Sequence, residues 1–129
     1  MDVKGESVQM IFKREEAFRY IFGFPIPAEF TITQINYREV NSSPGMAEII
    51  DISPEGLRIR TNLLIPDEDA KIVLSVTFKI NEVDLTVDGE IIWAKEMGSL
   101  VEYGIHLLVD ASMKNMIIEE LKVYSKSKN

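Results

Sequence analysis

The segment Asp51-Ile52-Ser53-Pro54-Glu55-Gly56 sets a carboxylate, a hydroxyl and a turn glycine at fixed spacing between the apolar runs 46–50 and 57–59. An acidic side chain accepts hydrogen bonds from the amino edge of a base such as guanine, and a hydroxyl beside it donates or accepts. Gly56 is expected to take a positive φ where the chain reverses. Arg58 and Arg60 alternate with Leu57 and Ile59, so a strand after the turn presents two guanidinium groups outward, a geometry suited to phosphate. A plainer reading has Asp51 and Ser53 capping their own turn. A calcium loop is rejected, because its twelfth position is Asn62 rather than a bidentate Glu and strands flank it.

Other chemistry finds little to work with. There is no cysteine and a single histidine, His106, so thiol chemistry and a zinc site lack ligands. His106 has no nucleophile or orienting carboxylate beside it in sequence, no phosphate loop is present, and an enzyme ranks last among the readings. Trp93 is expected in the core or at its rim rather than as a stacking platform. Asp67-Glu68-Asp69, beside Pro66, reads as a solvated turn. A net charge of −7 opposes binding to nucleic-acid polymers or anionic lipid, yet one or two arginines suffice for a small diphosphate ligand. No apolar run approaches the ~20 residues of a membrane span and no signal-peptide core is visible, so the expected location is the cytoplasm.

The elements that must position these residues follow from periodicity. At 129 residues and 46% hydrophobic, the chain fits one domain. Val8, Ile11, Phe12, Phe18 and Ile21 recur near helical spacing around the charges at 13–16, which predicts an amphipathic N-terminal helical segment within 1–22. Gly23-Phe24-Pro25-Ile26-Pro27 is expected to end it. Strands are predicted at 30–37, 46–51, 57–62, 71–80, 83–95 and 100–108, with turns between them and no intervening helix. Six such strands predict an antiparallel sheet closed into a β-barrel. Met113, Met116, Ile117, Leu121 and Tyr124 predict a C-terminal helix over 112–124, followed by a polar tail, so that 23–129 forms the barrel unit with its helix.

The Asp-x-Ser-x-x-Gly turn resembles the signature of the PilZ domain, a bacterial module known for binding cyclic di-GMP. The run from Arg19 through Phe24, Pro25 and Pro27 to Phe30 is similar to that family's Arg-x-x-x-Arg loop and first barrel strand. Gly89-Glu90-Ile91-Ile92-Trp93 and Tyr103-Gly104-Ile105-His106-Leu107 are similar to its late strands. The resemblance covers about 18–108 and implies a mainly β, six-stranded antiparallel barrel that works as a regulatory receptor. It needs no resident cofactor, and its ligand cyclic di-GMP is held by Arg19, Asp51, Ser53 and Gly56. In the family, paired arginines grip phosphates and guanine faces. If Arg19 matches the first of them, the second falls on Gly23. The other register does not restore the pair, since Glu15 stands four before Arg19 and Arg14 five before. Arg14, Lys13, Arg58 and Arg60 are the residues available to substitute. The resemblance thus implies either a receptor weakened at one arginine, which signals to an unidentified protein partner by ligand-induced rearrangement, or a degenerate module that associates through its terminal helices.

Overall fold

In the computed structural model, residues 19–65 and 69–127 are described. Seven strands and one helix follow in order: β1 (Tyr20–Ile35), β2 (Arg38–Glu39), β3 (Gly45–Ser53), β4 (Gly56–Thr61), β5 (Ile72–Lys79), β6 (Asp84–Met97), β7 (Leu100–Leu107) and α1 (Ala111–Ser127). All pairings are antiparallel. The order β1-β3-β4-β7-β6-β5 returns to β1 through a β1–β5 ladder, which closes a six-stranded barrel. Closure removes the unpaired edges that an open sheet of this length would expose.

Period-two alternation builds the interior. Phe22, Ile26, Ala28 and Phe30 of β1 face Leu74, Val76 and Phe78 of β5, and Val101, Tyr103, Ile105 and Leu107 of β7, in one buried cluster. Ile117 and Leu121 of α1, both fully buried, join the same cluster. Asp110 caps that helix, its Oδ1 accepting the Met113 N–H at 2.9 Å. Tyr124 meets Tyr20 and Phe22 edge to face at centroid distances of 5.7 and 5.4 Å, and Tyr20 and Phe22 are tilted against each other at 5.1 Å. Burial, and then the neighbouring Tyr124, raise the Tyr20 phenol above its usual 10.0.

Four expectations need correction. Residues 1–18 of the N-terminal helical segment lie outside the described residues, but Tyr20, Ile21 and Phe22 are strand, so the helix does not extend to 22. Gly23 to Pro27 does not end a helix either; it lies within β1. There the register with β3 shifts between Ile21 and Ile26, leaving residues 22–25 opposite Ile50 alone. Pro25 falls in this bulge, and Pro27 lies beyond Ala28, the last β1 residue paired with β5, so neither missing N–H interrupts that ladder. The strand predicted at 30–37 stops at Ile35. Asn36 and Tyr37 both take positive φ, 51° and 70°, and reverse the chain into the unforeseen β2. Asn36 is tied to Lys71 by its N–H (2.8 Å) and its Oδ1 (2.9 Å). The C-terminal helix was expected to end at 124; it continues to Ser127.

Candidate functional site

Ser53 and Gly56 pair across a two-residue reversal, Pro54-Glu55, that joins β3 to β4. Fully buried, Ser53 Oγ accepts the N–H groups of Glu55 at 3.2 Å and Gly56 at 3.1 Å. The capping reading therefore holds for Ser53. Asp51 does something else. It sits inside β3, 5% exposed, and its carboxylate faces two guanidinium groups. Arg19, the residue before β1, donates from Nη1 to Asp51 Oδ1 and from Nη2 to Ser53 Oγ at 3.4 Å. Arg58, the register partner of Asp51 on β4, places Nε 2.9 Å from Asp51 Oδ2, although its N–H is not aligned for a hydrogen bond.

Gly56 is not in the left-handed region; among described glycines only Gly98 is. Its need for glycine is one of space. A Cβ there would stand 3.0 Å from the Ile105 carbonyl and 3.6 Å from Arg19 Nη2. Gly104 has the same role more sharply, since a Cβ would lie 2.0 Å from Trp93 Nε1. The two glycines floor an open cleft of about 580 Å³ on the outer barrel wall, with Trp93, Arg58, Arg19, Glu55 and His106 around it.

Trp93 reaches this position through a β-bulge. The β6–β7 register shifts between Ile91 and Trp93, which drops Ile92 out of step and sets Trp93 opposite Gly104. The indole lies over the glycine and is 43% exposed, at the rim of the cleft rather than in the core. His106 stands exposed on β7, paired with Gly56 on one side and Glu90 on the other. Glu55 reaches Lys114 of α1 at 2.9 Å, and its carbonyl accepts the Leu107 N–H, also at 2.9 Å.

Arg19, Asp51, Ser53 and Gly56 are thus brought together, with Arg58 beside them. Arg60 is held away, donating to Glu102 from Nη2 at 3.1 Å and Nε at 3.4 Å. Gly23 does not line the cleft and has open space where a Cβ would stand; Arg14 lies outside the described residues. Sequence reasoning weighed Trp93 as a stacking platform but preferred the core or its rim, considered His106 only as a general base and Glu55 only as a calcium-loop position, and missed Glu102 altogether. The doublet Ile91-Ile92 before the tryptophan, which breaks strict alternation, was the available signal for the bulge. Among the described residues no group of three or more His, Asp or Glu is placed to hold a metal.

The family model for the PilZ domain matches residues 13–124 of the chain. A search of curated proteins gives no match.

Proposed function

The chain belongs to the PilZ domain family, and we propose on that premise that the glycine-floored cleft receives cyclic di-GMP and that binding changes the surface offered to a protein partner. The observation that carries this reading is the seating of Arg19 on Asp51 and Ser53, with its side chain still 46% exposed. A guanidinium so placed exchanges a carboxylate contact for a phosphate while staying over the turn. Asp51 is then freed toward the amino edge of a guanine, and the exposed face of Trp93 offers a surface on which a purine stacks.

The geometry favours one register of the arginine motif. Arg19 lies against the turn and Gly23 is away from the cleft, which fits Arg19 as the second arginine and Glu15 in place of the first. A carboxylate where the family has a phosphate-gripping guanidinium is expected to weaken binding by about one to two decades. Ligand entry draws Arg19 off Asp51 and changes the surface around the cleft, and the ligand's differential affinity for that arrangement is the signal. Among the described residues no helix is long and apolar enough to cross a membrane, and a cytoplasmic receptor fits this chemistry.

Calorimetric titration with cyclic di-GMP tests the reading, and the single tryptophan gives an independent fluorescence readout. Wild type is expected to bind, Arg19→Ala to bind more weakly, and Glu15→Arg to bind more tightly than either wild type or Gly23→Arg. A silent wild type that gains binding with Glu15→Arg identifies the degenerate module instead, a reading favoured by the way Asp51 already faces two guanidinium groups. Silence in both overturns the nucleotide assignment.

A further inference from the structure

We propose that the free edge of β6 is where a second copy of this chain joins, as an antiparallel strand pair about a two-fold axis that brings the partner's Lys95 to Trp93. This does not depend on what the cleft binds. β6 pairs with β5 from Asp84 to Glu90 and then parts from it, while its ladder with β7 runs on to Met97. Barrel closure stops short of this arm. From Ile92 onward β6 carries a strand on one side alone among the described residues. Such an edge leaves backbone N–H and C=O groups unpaired, and an extended chain satisfies them where a helix cannot.

The arm is suited to pairing. Its register with β7 is unbroken from Trp93 to Met97, and it holds no proline. Residues 92–97 are all exposed, the apolar Ile92, Trp93 and Met97 among them. Where β6 leaves β5, an open groove of about 500 Å³ lies beside the edge, lined by Leu64, Ile72, Ile91, Ala94, Glu96 and Tyr103. Charges such as Lys95 and Glu96 commonly blunt an edge. Neither makes an ion pair among the described residues, and symmetry gives the lysine a partner.

Symmetry also fixes the register. A two-fold axis normal to the sheet keeps every side chain on its own face, and directly opposed residues share a face, so the axis passes through a residue rather than between two. Centring on Lys95 or Glu96 opposes like charges, and centring on Trp93 leaves only residues 92–94 paired. Centring on Met97 runs into the turn at Gly98, whose φ is 67°. Centring on Ala94 pairs 92–96 and sets Trp93 of each copy against Lys95 of the other. The indole and the ammonium then lie within cross-strand reach of a cation–π contact, and the rim of the cleft includes a residue of the second copy. The ladder is short, so the contact is weak and its population depends on concentration.

The test is sedimentation equilibrium of the full chain from about 10 µM to about 1 mM, the weak range expected of so small an interface. Salt of about 0.15 M screens the net charge of −7 on each copy over about 8 Å. The mass is expected to rise with concentration toward that of a dimer. Lys95→Ala removes both cation–π contacts and is expected to weaken association about five- to thirtyfold. The chain has no cysteine, so one introduced thiol reports one contact. In Ala94→Cys the two thiols sit on directly opposed residues, whose Cα atoms lie about 4.5 to 5.5 Å apart, within disulfide reach. In Glu96→Cys they are offset by about 13 Å along the strands. Diamide is expected to cross-link Ala94→Cys at least about tenfold faster than Glu96→Cys. A mass that stays monomeric across the range overturns the proposal and leaves the edge to a strand of another protein. Association unchanged in Lys95→Ala, or equal cross-linking of the two cysteine variants, overturns it as well.

Discussion

Asp51 and Glu102 are the two buried carboxylates of the barrel wall, each 5% exposed, each facing two guanidinium groups, and they share Arg58. Chemically they are near twins; topologically they are not. Both partners of Glu102 come from β4, and Arg60 is its direct register partner, so the sheet itself holds that cluster together. Asp51 has one such partner in Arg58, while the other, Arg19, precedes the first strand. A buried carboxylate needs compensating charge wherever it lies. Where all of that charge is built into the ladder the cluster is structural, and where part of it arrives on a chain end the cluster can open to an outside ligand.

Breaking the two clusters is therefore expected to have opposite readouts. Asp51→Ala removes the acceptor that seats Arg19 and is expected to weaken cyclic di-GMP by about one to two decades, the value of a lost charge-assisted contact, measured by calorimetry. Its effect on stability is smaller, because Arg58 keeps Glu102 and the half-exposed Arg19 returns to water. Glu102→Ala strips the carboxylate from Arg60 and half the compensation from Arg58. Each of those arginines is about a third exposed, so the expected cost is about 1 to 2 kcal/mol rather than the larger loss of a fully buried pair. It is read as a Tm lower by about 3 to 8 °C. Equal Tm changes in the two variants would erase the distinction between the clusters.

The sequence makes one half of this comparison far easier to see than the other. The strands and the Asp51 to Gly56 turn are legible because alternation and turn chemistry are local, and Arg58 and Arg60 point outward by the same rule. Glu102 is invisible as a clamp, since its role depends on β7 lying beside β4, a pairing between residues more than forty positions apart. The first half of β1 misleads for a related reason. Phe18 and Ile21 continue an apparent helical period, and prolines at 25 and 27 read as terminators, yet the barrel accepts the first at a bulge and the second where β1 is no longer paired with β5. Gly56 was assigned its glycine for a backbone angle when the cause is the Ile105 carbonyl, again a contact made by the neighbouring strand. Trp93 belongs to the same class, because only the shifted register beyond Ile91 turns it onto Gly104.

Glu55 sharpens the contrast as a third carboxylate, one carried on the surface. Its partner Lys114 lies 2.9 Å away, and both side chains are about one third exposed. An ion pair in that setting contributes about 0.2 to 1 kcal/mol and is screened over a Debye length of about 8 Å at physiological salt. Lys114→Ala is accordingly expected to shift the urea midpoint only slightly, by an amount that shrinks further in about 1 M salt, whereas the deficit in Glu102→Ala persists there because its cluster is partly shielded from solvent. The small stability effect hides a larger electrostatic one. With Lys114 gone, the Glu55 carboxylate is left uncompensated in the cleft that also holds Arg19 and Arg58, where its charge opposes that of an entering phosphate. Cyclic di-GMP is expected to bind Lys114→Ala more weakly than wild type, by less than the loss in Asp51→Ala, while the fold is nearly unchanged; an affinity equal to that of wild type would show that Glu55 and the ligand do not sense each other.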